Sequence, residues 1–112
     1  MTKRRVVITG VGLVTPVGLD PDSTWSALVS GVSGAGPISR FDPSNQSVRF
    51  ACEVKGFEPE RYMDRKDARR ADRFLQLAMA AAAQAVDSAG FGEGFGDLSP
   101  DRVGVIIGSG IG

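Results

Sequence analysis

The sequence contains no histidine and a single cysteine, Cys52. One thiol cannot form a disulfide within the chain, and without histidine the usual ligands of zinc and other transition metals are nearly absent. Cys52 also has no imidazole within the chain that could take its proton, so nothing in the sequence indicates a nucleophile. We expect no metal and no cofactor, and we predict that Cys52 is structural.

The chain also lacks a net charge and a long apolar run. Its 13 Lys and Arg residues balance 13 Asp and Glu residues, so no overall field favours nucleic acid or an anionic membrane. Residues 1–10 (MTKRRVVITG) are basic, but their apolar run is too short for a signal peptide or a membrane span. We predict a cytoplasmic, reducing compartment and no nucleic-acid or membrane partner, and we expect any electrostatic partner to meet a local patch.

Glycine, by contrast, is abundant, with 15 among 112 residues. Together with long irregular stretches, this content argues against a compact, self-sufficient domain of this size. Residues 103–107 form an apolar run that leads directly into the glycine-rich residues 108–112. We therefore expect residues 1–112 to be an incomplete portion of a larger domain.

A helix is predicted over residues 64–90, with Asp64 as its N-cap, Asp67 as a capping-box-like partner and Gly90 just past its last turn. Four cations share one face, Lys66, Arg69, Arg70 and Arg73. Cations in the first turns of a helix are unfavourable by about 0.3–1 kcal/mol each. They indicate either a solvated charged face or a docking patch for an anionic partner. The opposite, core-facing stripe follows helical spacing and contains Ala71, Phe74, Leu75, Ala78, Ala82, Ala85, Val86 and Ala89.

Residues 5–9 and 103–107 each contain consecutive apolar residues, as is typical of strands covered on both faces. Such strands imply helices on both sides of a sheet, so the sequence predicts an α/β fold. Apolar residues occupy every second position of residues 48–54. This alternation predicts a half-exposed strand with Cys52 on its apolar side. A short helix is predicted from Pro21 through residue 30, ended by Gly31 and followed by a long loop.

The glycines allow two other interpretations, which the spacing disfavours. Gly10 and Gly12 follow a strand as in a dinucleotide-binding turn, but Thr15 stands where the third glycine belongs. Close approach of two backbones explains these glycines better. Ser109 lies in a glycine-rich turn, but a hydrolase nucleophile elbow needs glycine where Ile107 stands.

Five motifs together closely resemble the N-terminal part of the β-ketoacyl-acyl-carrier-protein synthases, most strongly the synthase II group. The resemblance covers nearly the whole chain in the right order. It implies a condensing enzyme of the thiolase fold, with αβαβα layers and a homodimer, of which this chain is the opening. The motifs are residues 6–18 (VVITGVGLVTPVG), 22–34 (DSTWSALVSGVSG), 40–44 (RFDPS), 65–76 (RKDARRADRFLQ) and 107–112 (IGSGIG).

The resemblance implies decarboxylative Claisen condensation of acyl groups with malonyl-carrier protein in fatty-acid elongation. In the family a cysteine thiolate takes the acyl group, and two histidines assist decarboxylation and stabilise the oxyanion. These residues lie further along the family's chains, so no catalytic residue is expected in residues 1–112 and the isolated segment is expected to be inactive. Alternatives are a non-catalytic chain-length-factor-like partner and a polyketide ketosynthase.

The resemblance also implies two binding roles. Lys66, Arg69 and Arg70 match basic positions that contact the acyl carrier protein, with Arg65 as a neighbour. Ile111 matches a residue that gates the acyl pocket. Its residue type suits that role, because an apolar side chain between glycines beyond a buried strand can swing aside. An ordinary core isoleucine is the alternative interpretation.

Overall fold

The computed structural model describes residues 2–112 and shows an open arrangement with few buried side chains. The radius of gyration is 17.3 Å, whereas a compact domain of this length has about 13 Å. Among the described residues, only Ala68, Ala80 and Thr24 are buried. The elements are α1 (Pro21–Val29), β1 (Gly36–Pro37), β2 (Phe50–Ala51), α2 (Arg65–Arg70) and α3 (Arg73–Ala89), with 3₁₀ turns at Pro59–Arg61, Glu93–Phe95 and Pro100–Arg102.

Helix α1 begins where the sequence predicts. The Ser23 backbone N–H donates to Asp20 Oδ1 at 2.7 Å, and the Asp20 N–H donates to the Ser23 hydroxyl at 3.3 Å. This reciprocal pair is a capping box, and Pro21 occupies the first helical turn. Gly31 follows the helix with φ of +70°, a conformation that glycine adopts without strain. The helix-stop prediction is confirmed.

The two short strands pair antiparallel, with Gly36 opposite Ala51 and Pro37 opposite Phe50. The Glu53 carboxylate extends this contact by accepting the Ser39 N–H at 3.1 Å and the Ser39 hydroxyl at 2.7 Å. The predicted strand over residues 48–54 is thus shortened to two residues. Cys52 lies outside it and is exposed, so its predicted place on an apolar face is wrong.

Lys55 joins three separate stretches of backbone. Its Nζ donates to the carbonyl oxygens of Pro16 at 3.3 Å, Gly34 at 3.0 Å and Glu53 at 3.0 Å. An ammonium has three N–H donors, so these contacts use its whole hydrogen-bonding capacity. The turn at Pro16, the loop before β1 and the segment after β2 are held together at this nitrogen.

The two buried strands predicted at residues 5–9 and 103–107 do not form. Neither segment has a hydrogen-bonded partner strand among residues 2–112. Their side chains are open to solvent, with Val6 93% and Ile106 98% exposed. A strand needs a neighbour to satisfy its N–H and C=O groups, and the pairing prediction fails here because no described segment supplies one.

The chain following residue 9 packs closely on α3, as the glycine interpretation predicts. A methyl group on Gly12 would overlap the Ala81 carbonyl oxygen and lie 2.9 Å from the Ala85 backbone nitrogen. A methyl group on Gly10 would lie 2.7 Å from the Ala89 nitrogen. Only glycine permits this approach of two backbones.

The predicted single helix over residues 64–90 is instead two helices. Ala71 leaves helical geometry, with φ −83° and ψ 135°, and Asp72 does the same, with φ −65° and ψ 156°. Gln76 Nε2 donates to the carbonyl oxygens of Ala68 at 2.8 Å and Ala71 at 3.4 Å, which the break leaves without helical partners. Asp64 occupies the N-cap position of α2, as predicted, but its side chain makes no capping hydrogen bond, so that part of the prediction is wrong.

Helix α3 ends as predicted, at Gly90 with φ of +74°. Its core-facing stripe is only partly correct. Five of its eight residues are half-buried, whereas Phe74, Leu75 and Ala82 are exposed. The one fully buried residue of the helix, Ala80, lies outside the predicted stripe.

The segment with Gly10 and Gly12 packs on one face of helix α3, and Tyr62 contacts it at Gln84. Several apolar side chains on its other faces are left uncovered. None of the helices found in residues 2–112 combines the length and apolar character that a membrane span requires.

Candidate functional site

Three cations on α2 form a continuous positive surface, which we call the basic face: Lys66, Arg69 and Arg70. Their spacing of three and four residues places them on one side of the helix, and all three are exposed. Within the described residues none of them forms an ion pair, whereas the neighbouring Arg65 does, with its Nε 3.6 Å from Glu60 Oε1. The basic face therefore has three cations available to an acidic partner.

The break after α2 changes the electrostatic argument for these cations. Arg69 and Arg70 lie in the last turn of α2, at the negative end of its dipole, where positive charge is favourable. The predicted penalty for cations in the first turns of one long helix is therefore wrong for both residues. A docking role is supported by the exposure of the three cations on one side of α2. An unfavourable interaction with the helix dipole does not support it.

Arg73 does not belong to the basic face. Its guanidinium lies over the Phe57 ring, 5.0 Å from the centroid, and that ring stacks on Tyr62 with centroids 6.1 Å apart. Partial burial, together with the charge of Arg40, lowers the pKa of Arg73. The sequence grouped this residue with the cations of α2, but its cation–π contact holds it at the start of α3.

The segment with Ile111 lies beside the start of α3. Ile111 is 95% exposed and lines an open depression of about 470 Å³ together with Phe74 and Leu77. Asp72 and Arg73 line the same depression, only a few residues beyond the basic face. The two site predictions thus fall at adjacent places in the structure, although the gating role itself stays a prediction.

The described residues contain no pair of nucleophile and general base that could carry out covalent catalysis. Cys52 is exposed, and the chain has no histidine to act as its base. Helix α3 contributes two hydrogen-bonding residues that the sequence analysis missed, Gln76 and Gln84, and a third, Phe74, that lines the depression beside Ile111. The polar Gln76 and Gln84 interrupt its apolar stripe, which was the available signal, whereas Phe74 was assigned to the core on spacing alone.

Residues 3–112 match the family described as Beta-ketoacyl synthase, N-terminal domain. The chain belongs to the β-ketoacyl synthase family. The match covers the basic face, both glycines that pack on α3 and the Ile111 segment, so all of these features lie within one family domain. The family resemblance seen in the five sequence motifs is confirmed.

Named relatives of this β-ketoacyl synthase chain extend over its full length. The chain is 49% identical over 112 residues to the 3-oxoacyl-[acyl-carrier-protein] synthase 2 of Vibrio cholerae serotype O1, covering 100% of this chain and 27% of that protein. It is 45% identical over 112 residues to the synthase 2 of Synechocystis sp., covering 100% and 26%. The chain thus spans about a quarter of the length of the relatives it matches.

A solved structure titled "The ishigamide ketosynthase/chain length factor" superposes with a TM-score of 0.70 at 39% sequence identity. The superposition covers 92% of this chain and 24% of that one. This likeness and the family match show a thiolase-like α/β fold, of which residues 2–112 contain only a part, with three α-helices and two short strands.

Proposed function

We propose that this chain is the N-terminal segment of a 3-oxoacyl-acyl-carrier-protein synthase that elongates fatty acids by decarboxylative Claisen condensation. The observation that carries the proposal is identity of 45–49% over all 112 residues with relatives of that name. Residues 1–112 are then the incomplete opening of the N-terminal domain in a layered αβαβα fold. The full-length protein is a cytoplasmic homodimer in this proposal.

The chemistry uses groups outside these 112 residues. A cysteine thiolate attacks the acyl thioester, forming an acyl–sulfur bond and releasing the carrier thiol. Malonyl-carrier protein then loses carbon dioxide, and the resulting carbanion attacks the acyl carbon and releases the cysteine thiolate. Two histidines assist decarboxylation and stabilise the oxyanion. The described residues contribute to substrate delivery and not to these bond changes.

The basic face supplies the delivery step. Three exposed cations on one side of a short helix suit an acidic helix of the acyl carrier protein or the phosphate of its phosphopantetheine group. Ile111, on its glycine-flanked segment, acts as the gate of the acyl pocket. It lines one depression with Phe74, and the glycines on either side relieve the steric limits on φ that would restrict its movement.

The test is a condensation assay on a full-length synthase that contains this chain, supplied with acyl-carrier and malonyl-carrier protein. Mass spectrometry should detect a 3-oxoacyl-carrier product two carbons longer than the starting acyl group, with release of carbon dioxide. Absence of both product and acyl-enzyme would overturn the proposal.

The structural neighbour favours a second candidate function, because its title names a chain length factor beside a ketosynthase. A non-catalytic partner of that kind would keep the fold but would not become acylated. The same assay separates the two, since the partner would form product only when mixed with a separate active ketosynthase.

A further inference from the structure

The ring of Phe57 contacts one residue on each side of α2. The Tyr62 ring stacks on it, with centroids 6.1 Å apart and planes inclined by 16°, and the Arg73 guanidinium lies 5.0 Å from its centroid. Tyr62 comes three residues before α2 begins at Arg65, and Arg73 comes three residues after α2 ends at Arg70. Phe57 thus joins the two stretches of chain that lead into and out of the helix with the basic face.

Helix α2 depends on such contacts for its position. It contains six residues, of which Ala68 is buried, and its N-cap residue Asp64 makes no side-chain capping bond. A helix of this length is not stable by itself, so its position is fixed by tertiary packing of the helix and its flanking segments. Gln76 supplies one contact, by donating to the Ala68 carbonyl oxygen at 2.8 Å. The Phe57 ring supplies two more, one on each flank.

Both residues that contact the ring are attached to α3. The Tyr62 hydroxyl accepts a hydrogen bond from Gln84 Nε2 at 3.0 Å, and Arg73 is the first residue of α3. Phe57, Tyr62 and Arg73 are all half-buried, and partial removal from water strengthens the attraction between a cation and a ring. The ring therefore fixes both ends of the segment that contains α2 against the same helix.

We propose that Phe57 is a positioning residue that holds α2 so that Lys66, Arg69 and Arg70 meet the acidic surface of the acyl carrier protein together. This inference rests on the delivery role proposed for the basic face. Attraction between surface charges weakens with distance and is screened by salt, so the three cations act on one partner only while their helix keeps one position. Without the ring, the flanks of α2 separate and the cations no longer act as one group.

The test compares Phe57→Leu with the wild-type full-length synthase. Leucine keeps the apolar bulk but lacks the flat ring surface that Tyr62 and Arg73 contact. KM for octanoyl-carrier protein should rise by about 2-fold to 30-fold, the range for residues that modulate a site without touching its ligand, while kcat stays near its wild-type value. Phe57→Tyr keeps the ring and should retain the wild-type KM. Unchanged KM in Phe57→Leu would overturn the inference.

A carrier-free substrate and a matched control separate positioning from general damage to the fold. Octanoyl-N-acetylcysteamine delivers the same acyl group without the carrier protein, so its kcat/KM should be equal in Phe57→Leu and wild type. Phe91→Leu makes the same substitution in another half-buried aromatic pair, with the Phe95 centroid at 5.6 Å, and should leave KM for octanoyl-carrier protein unchanged. Equal losses with both substrates, or an equal rise of KM in Phe91→Leu, would show that Phe57 has no positioning role.

Amide hydrogen exchange distinguishes failure of this inference from failure of the proposed function. Exchange at residues 65–71 should accelerate in Phe57→Leu, and this readout requires no turnover. If the wild-type synthase forms the condensation product but KM and exchange are both unchanged in the variant, the role of Phe57 alone is overturned. If exchange accelerates but the wild type forms no product, the ring contact is supported, while the condensing function and the docking role that depends on it are overturned.

Discussion

The side-chain oxygen of Gln84 accepts the backbone N–H of Leu13 at 3.0 Å, and this bond joins α3 to the N-terminal segment across 71 positions. The Gln84 amide nitrogen also donates to the Leu19 carbonyl at 2.7 Å and the Tyr62 hydroxyl at 3.0 Å. Gln84→Leu should leave three part-buried groups without this partner and lower the free energy of unfolding of the full-length synthase by about 1–3 kcal/mol.

Denaturant unfolding measures this change. Gln46→Leu is the matched control, because Gln46 is exposed in the loop before β2 and the same substitution there should cost little. Equal stability of the two variants would contradict the anchoring role of Gln84.

Charge reversal on the basic face should weaken delivery of the carrier-linked substrate. Lys66→Glu with Arg70→Glu should raise KM by about 3-fold to 30-fold at low salt and reduce the salt dependence of KM, because exposed charges act by steering and pairing at the rim. Kinetics with acyl-carrier protein at several ionic strengths measure the effect. The control is Lys3→Glu with Arg102→Glu, which makes the same change in net charge elsewhere in the chain. Equal KM values for the two double variants would contradict the docking role and show that the basic face is only a solvated charged face.

Substitution of Ile111 distinguishes a gate from an ordinary core residue. Ile111→Phe should slow transfer of long acyl groups selectively, because the bulkier side chain no longer swings clear of the pocket. Overpacking of a core would instead cost roughly 1–3 kcal/mol of stability whatever the chain length. Single-turnover acylation with short and long substrates, read beside melting temperatures, separates these outcomes. Uniform slowing that follows a lowered melting temperature would rule out the gate.

The contact between Glu53 and Ser39 should make stability depend on pH. The Ser39 hydroxyl and its N–H hold the pKa of the Glu53 carboxyl below its ordinary value of 4.5, with a smaller contribution from Arg40. A lowered folded-state pKa gives stability that is present above about pH 4.5 and is lost as the pH falls through the lowered pKa.

Melting temperatures of the full-length synthase test this. Glu53→Gln should melt below wild type at neutral pH, and the gap should narrow in acid. In a Ser39→Ala background the same substitution should have a smaller effect at neutral pH. A difference in melting temperature between wild type and Glu53→Gln that stays constant from neutral pH to acid pH would contradict the dependence of stability on Glu53 ionisation.

The isolated 112-residue chain should neither melt cooperatively nor condense acyl groups. Val6 and Ile106 are more than nine-tenths exposed, and the radius of gyration of 17.3 Å exceeds that of a compact domain. Uncovered apolar segments of this kind associate or remain loosely packed. Circular dichroism during heating, with the full-length synthase as the control, measures cooperativity, and a sharp transition in a monomeric sample would refute the prediction.

Local chemistry was readable from the sequence, and contacts between distant segments were not. The start of α1 at Pro21 and the stop at Gly90 depend on a few neighbouring residues, so their patterns predict them well. The predicted length of the helix was wrong, but the three cations of the basic face still share one side because Lys66, Arg69 and Arg70 all lie within α2. The family itself was readable because five separate motifs occur in order.

The failures share one physical cause. Residues 5–9 have a strand-like composition, but pairing requires a second segment whose position no local pattern gives. The break at Ala71 is accompanied by contacts of Gln76 with the carbonyl groups of Ala68 and Ala71, and α-helical spacing alone does not reveal it. Cys52 was placed on an apolar face by alternation, yet the strand ends one residue earlier and leaves it exposed.

The Lys55 nitrogen restricts sequence change in a way that charge alone does not describe. Three carbonyl oxygens converge on one atom, which matches the compact donor geometry of an ammonium. An arginine at this position would keep the charge but spread its donors over a flat fork, so it could not meet all three oxygens from one point. Lysine therefore suits this position better than arginine. Acetylation of its amine, which removes the charge and two of the three N–H donors, would weaken the contacts to Pro16 and Gly34.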